Sequence, residues 1–233
     1  KSALAANTTG AHNVAVGYNA LLSNTTGGEN TAVGWSSQGS NTTAGSNSSF
    51  GNQSLCVNTT GCCNTSIGFR SMCSNTTGDN NVALGNNALS KNTSADNNTA
   101  VGHSALVLNT TGASNVALGY NTLYANTTGT QNTAVGQGAL QVNTTGGYNV
   151  AVGNTALDAN TTGANNVAIG KGAGTSNTTG TRNTFVGGGY ALGNGANNTT
   201  GNDNSFFGVD AGGTNTTGTS NVAVGVFTFC ANT

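Results

Sequence analysis

The chain has 233 residues, of which 5% are charged, with a formal net charge of -1, 37 Gly and no Pro. So little charge argues against nucleic acid and anionic membrane as partners, since both attract clusters of Lys and Arg. No apolar run approaches the roughly 18 residues a membrane-spanning helix needs, and disorder ordinarily comes with charge and Pro, both scarce here.

The chain opens at Lys1 without Met or a signal-peptide pattern, so any targeting segment is expected to have been removed or to lie upstream. Its first residues, K-S-A-L-A-A-N-T-T-G, enter in the middle of a repeat that then runs the length of the sequence. Asn recurs at 13, 30, 47, 64, 81, 98, 115, 132, 149, 166 and 183, always 17 apart; it then falls at 204, after a step of 21, and at 221. A fixed period of this kind is the mark of stacked repeats.

Each coil reads N-[VTS]-A-[VIL]-G-x-x-A-L-x-x-N-T-T-G-x-x, and its places are numbered 1 to 17 from that Asn. Gly fills place 5 from Gly17 to Gly225, place 9 is mostly Leu, and two hydroxyl residues follow the Asn of place 12. So much Gly among β-branched residues disfavours helix. The N-V-A-V-G segment fits a short strand ending at a Gly corner. The fold expected is all-β: a single parallel β-solenoid of about 13 coils, 17 residues per coil, spanning residues 1–233.

Side chains alternate across a strand, so places 2 and 4 share one face. Place 4 is bulky throughout (Val16, Val33, Phe50, Ile67, Leu84, Val101 and onward) and is expected to point inward with place 2, with Leu at place 9 as the opposite wall. Replacing Ile67 by Asp would then bury a charge. Asn at places 1 and 12 can stack from coil to coil as amide ladders.

Along the chain, place 6 carries Tyr18, Trp35, Phe69, His103 and Tyr120. Spaced aromatics beside a corner can stack on sugars, or simply pack the corner. Cys56 and Cys73 both fall at place 10 of adjacent coils, with Cys62 and Cys63 in the corner between them. Coils about 4.8 Å apart bring such Cα atoms within disulfide range. The pairing expected is Cys56–Cys73, or else Cys56–Cys62 with Cys63–Cys73, and either implies an oxidising compartment. Cys230 is left over. Asp79 and Asp96 share place 16 of neighbouring coils but lack the calcium repeat of other β-rolls, so no metal site is assigned.

Between Gly187 and Asn198 one coil gains four residues, and Phe185 and Phe206 stand at place 3 where Ala is usual. They read as an aromatic platform under a binding loop, or as a local cluster pinning a bulge. The chain stops mid-repeat at Thr233, so it is expected to be a window on a longer array or to meet other subunits at its ends.

The tripeptide after each corner matches the N-glycosylation sequon. It occurs at Asn7, Asn24, Asn41, Asn58, Asn75, Asn92, Asn109, Asn126, Asn143, Asn160, Asn177, Asn198 and Asn215. A glycan on each coil would disperse a surface otherwise too neutral to stay soluble. It requires each place-12 Asn to face solvent, whereas an inward ladder requires the opposite. His12 and His103 lie about five coils apart and Glu29 is the only Glu, so no catalytic triad or acid–base pair can be drawn. No enzyme activity and no cofactor are expected.

The N-V-A-V-G-x-x-A-L segment resembles the head repeats of trimeric autotransporter adhesins and similar repeats of viral and phage surface fibres. The resemblance runs the whole chain but rests on a short motif. The adhesin repeat is shorter, about 14 residues, so the difference lies near N-T-T-G. What the resemblance implies is an extracellular fibre or filament at a cell or virion surface, self-associating, with trimers as the family packs. An adhesin head binding a host surface or glycan is the alternative, and ice binding by Thr ladders is a third.

Overall fold

The computed structural model describes residues 2–188, 195 and 197–229. Two compact units divide the chain, residues 1–115 and 116–233. The first holds β1 (Val14–Val16), β2 (Thr31–Val33), β3 (Ser48–Phe50), β4 (Thr65–Ile67), β5 (Val82–Leu84) and β6 (Thr99–Val101). The second holds β7 (Val116–Leu118), β8 (Thr133–Val135), β9 (Val150–Val152), β10 (Val167–Ile169), β11 (Thr184–Val186), β12 (Ser205–Phe207) and β13 (Val222–Val224). Within each unit every strand pairs in parallel with the next, place for place, as in Val82 opposite Thr99 and Val116 opposite Thr133. Each unit is a parallel β-solenoid with one strand per coil.

The strands form where the sequence places β-branched or large apolar residues around a central residue that is mostly Ala. They end at place 5 because the chain must turn there with a conformation that only Gly adopts freely: Gly85 has φ 140°, and a Cβ on it would stand 2.5 Å from the carbonyl oxygen of Gly102 in the next coil. Beyond the strand, coil-to-coil amides continue the stack. Leu89 N donates to Ala105 O at 2.9 Å, and Thr76 N to Thr93 O at 2.9 Å.

The turns rely on left-handed residues at places 7, 9 and 17, for example Asn87 (φ 55°), Leu89 (φ 52°) and Asn97 (φ 60°). Asn accepts this conformation with little strain, whereas for Leu it costs about 1–2 kcal/mol. Burying the whole Leu89 side chain offsets that by about 1.5–3 kcal/mol.

The faces of the strand are the reverse of the expectation. The middle residue, place 3, points inward: Ala32, Ala83, Ala100, Ala117, Ala134, Ala151 and Ala168 are fully buried. Places 2 and 4 point outward, leaving Val16 57% and Ile67 41% exposed, and Val33 and Val101 half-buried. A three-residue strand turns only one side chain inward, and across from it lie Leu at place 9 and a small residue at place 8. A methyl group fills that gap. Leu21, Leu55, Leu89, Leu106, Leu123, Leu140 and Leu157 do form the inward wall expected at place 9.

Phe185 and Phe206 occupy place 3 and are therefore fully buried, their ring centroids 6.0 Å apart and tilted by 47°. They form an internal cluster, so the platform reading is overturned. Of the long coil, residues 189–194 and 196 lie outside the described residues, as does Cys230. Gly195 takes place 9 there: its N donates to Ala211 O and its carbonyl accepts from Asn198 N, both at 3.0 Å.

Candidate functional site

Two columns of Asn run inside each unit. At place 12, Asn75 Nδ2 donates to Asn58 Oδ1 at 2.9 Å and to Gly78 O at 3.0 Å, and Asn92 Nδ2 donates in turn to Asn75 Oδ1 at 2.8 Å. At place 1, Asn64 Oδ1 accepts the backbone N of Asn81 at 2.9 Å, while Asn64 Nδ2 donates to Gly78 O at 2.8 Å. The place-15 carbonyl, here that of Gly78, is thus the junction of both ladders.

At place 12 the structure forms the inward ladder. Asn24, Asn41, Asn58, Asn75, Asn92, Asn109, Asn126, Asn143, Asn160, Asn177, Asn198 and Asn215 are fully buried, and only Asn7 is partly open. An N-linked sugar must sit on Nδ2 and reach solvent. At the twelve buried positions that nitrogen faces inward and donates within the coil interior, which gives the N-T-T motif a structural role, whereas Asn7 Nδ2 donates to Gly10 O at 2.9 Å.

The disulfides are corrected as well. Cys56, Cys62, Cys63 and Cys73 are all free thiols. In parallel stacking, equivalent side chains point the same way and do not converge. Cys56 Sγ is aimed at Cys73 O (3.3 Å) and Cys73 Sγ at Ser90 O (3.5 Å). Burial, then the neighbouring Cys73, raises the Cys56 thiol above its ordinary value. The Cys62 thiol is pushed up to about 11, chiefly by its hydrogen bond with Cys63, then by desolvation and by the charge of Asp79. With the disulfides goes the argument they gave for an oxidising compartment.

Asp79 and Asp96 serve the backbone: Asp79 Oδ1 accepts Cys62 N at 2.7 Å, and Asp96 Oδ1 accepts Asp79 N at 2.8 Å. His12, Glu29 and His103 are exposed on separate coils.

What the sequence reading missed is the outward face of the sheet. Places 2 and 4 carry only Val, Thr, Ser, Ile, Leu and Phe in both units, with no charge. Phe50, Ile67, Leu118, Val152, Ile169 and Phe207 lie exposed on it. The aromatic residues of place 6 flank this face and do not pack into the corner: Tyr18, Trp35, Phe69 and Tyr120 are exposed, and Tyr18 and Trp35 lie parallel (5°) at 6.4 Å. A signal was present in the sequence. Place 4 varies freely among Val, Ile, Leu and Phe, whereas place 3 is Ala in most coils, departing from it only at Ser49, Ser66, Phe185 and Phe206. No family model matches this sequence, and no curated protein or solved structure does either.

Proposed function

We propose that the chain is a non-enzymatic structural repeat segment of an extracellular surface fibre, and that copies associate through the outward faces of their sheets. The observation that carries this reading is the uncharged outward face of each unit, apolar at every place 4 and Val, Thr or Ser at place 2. Contiguous apolar surface of this kind marks an interaction site. Another copy presents an equally apolar partner. The surface location and a trimeric state follow from the resemblance of N-V-A-V-G-x-x-A-L to surface-fibre repeats.

Sedimentation velocity on the purified chain tests association. Wild type is expected to be oligomeric, and Ile67→Asp to shift it toward monomer while its circular dichroism is retained. Wild type that stays monomeric at every concentration overturns the proposal.

The adhesin reading keeps one observation in its favour, the exposed aromatics at place 6, with Trp35 stacked on Tyr18. Oligosaccharide titrations followed by Trp35 fluorescence test it, and a flat response across neutral glycans retires it. For ice binding the place-13 hydroxyls are poorly disposed. Thr25, Thr42 and Thr59 each give their hydroxyl hydrogen to the carbonyl of the next coil, so thermal hysteresis is expected to be absent.

A further inference from the structure

Near-identical coils create a problem of register. If a coil pairs with the wrong neighbour, the consensus contacts survive, because Ala still meets Ala and Asn still meets Asn. A repeat that is uniform inside therefore cannot say which coil belongs beside which. We propose that the interior residues departing from the consensus are register keys, matched between particular neighbouring coils so that only one pairing satisfies them.

In the second unit the match is one of size. Phe185 and Phe206 replace the inward Ala of place 3, and Gly174, Gly195 and Gly212 replace the inward Leu of place 9. A Cβ added to Gly174 would stand 2.5 Å from Phe185 Cδ2, and one added to Gly195 or Gly212 would strike the ring of Phe185 or Phe206. Each ring thus fills space that Leu takes in other coils. Slipped by one coil, a ring meets Leu157 or a Gly faces Ala, leaving a clash at one level and a void at another.

The first unit uses polarity instead. Ser49 and Ser66 stand at place 3, Ser37, Ser54 and Ser71 at place 8, and Gln38 at place 9, all fully buried. They are paired across coils: Ser37 Oγ lies 2.5 Å from Ser49 Oγ, Gln38 Nε2 donates to Ser49 Oγ at 2.9 Å, and Ser54 Oγ donates to Ser66 Oγ at 2.8 Å. Beside a consensus coil these groups would lose their side-chain partners and keep only backbone carbonyls, as Ser71 does beside Ala83, where its Oγ donates to Ala83 O at 3.1 Å. Gln38 Oε1 has no partner even in register. A Leu there would avoid that orphan, so the residue is better explained by what it discriminates than by what it stabilises.

Refolding tests the idea, because a chain slipped by one coil must extrude a whole coil as a protease-sensitive loop. Wild type refolded from denaturant and given a brief pulse of protease is expected to be almost uniformly resistant. A variant returned to the consensus interior (Phe185→Ala, Phe206→Ala, Gly174→Leu, Gly195→Leu, Gly212→Leu) is expected to be at least as stable, yet to give several-fold more nicked product. Gly174→Leu alone is expected to lose the resistant species, and adding Phe185→Ala to restore it. A consensus variant that refolds as cleanly as wild type, or a failure of Phe185→Ala to rescue, overturns the proposal. Should the five-fold variant not fold, Gln38→Leu with Ser37→Ala and Ser49→Ala gives the same reading in the first unit.

Discussion

Asn75 shows what one side chain does in a ladder. It makes two donations and one acceptance, all inside the coil, at 2.8–3.0 Å. Asn75→Ala removes the three bonds and strands their partners where water cannot reach. The expected loss is about 3 kcal/mol, read from the guanidinium midpoint. Asn75→Asp should be worse, since it sets a buried charge against Asn58 Oδ1 and the Gly78 carbonyl. Peptide mapping is expected to return this Asn unmodified. The thiols give a second check at this scale. A thiol whose value is raised stays protonated, and only the thiolate alkylates. Cys62 is therefore expected to resist iodoacetamide near neutral pH and to gain reactivity as pH climbs toward about 11; fast labelling at neutral pH would contradict the hydrogen bond with Cys63. The orientation of place 12 was not legible beforehand, because N-T-T-G satisfies a sequon and an inward ladder equally well. Only the neighbouring coils, which supply Asn58, Gly78 and Asn92, decide between them.

At the scale of the strand, the alternation is legible in the sequence but its phase is the reverse of the one bulk predicts. The rule that bulky side chains go inside assumes an interior wide enough to hold them. Here the inward space at place 3 is bounded by Leu at place 9 and Ala at place 8, and Ala100 with Leu106 and Ala105 fills it completely. The period, the strand position and the Gly corner were legible, because each rests on local chemistry. The phase rests on the width of the coil, which is set by turns with Leu in a left-handed conformation that a sequence gives no reason to expect. The corrected phase reverses a mutational expectation. Ile67→Asp now falls on an outward, 41% exposed side chain and is expected to change unfolding free energy by less than about 1 kcal/mol. Ala100→Asp places an unpaired carboxylate in the closed interior and is expected to cost about 4 kcal/mol or more. Paired thermal melts under monomeric conditions separate the two, and a larger effect at Ile67 would restore the original orientation.

For the molecule as a whole, the inside and outside of the coil divide the work. Inside, the ladders hold coils together, and the few departures from consensus distinguish one coil from the next. Outside, the sheet face is neutral, in a chain with a formal charge of -1. Association through that face therefore has no attractive charges to screen, and it should follow the rules of apolar burial. Sodium chloride raised to about 0.5 M, where the Debye length falls well below 10 Å, is expected to leave the oligomer intact. Sulfate is expected to strengthen it, and cooling toward 0 °C to weaken it, because the hydrophobic driving force fades on cooling. Sedimentation at several salt concentrations and temperatures measures all three. An oligomer that dissociates as chloride rises would have to be held by charged side chains such as Lys91, Asp158 or Lys171. The sheet face would then be exposed for some other partner, and the fibre proposal would lose the observation that carries it.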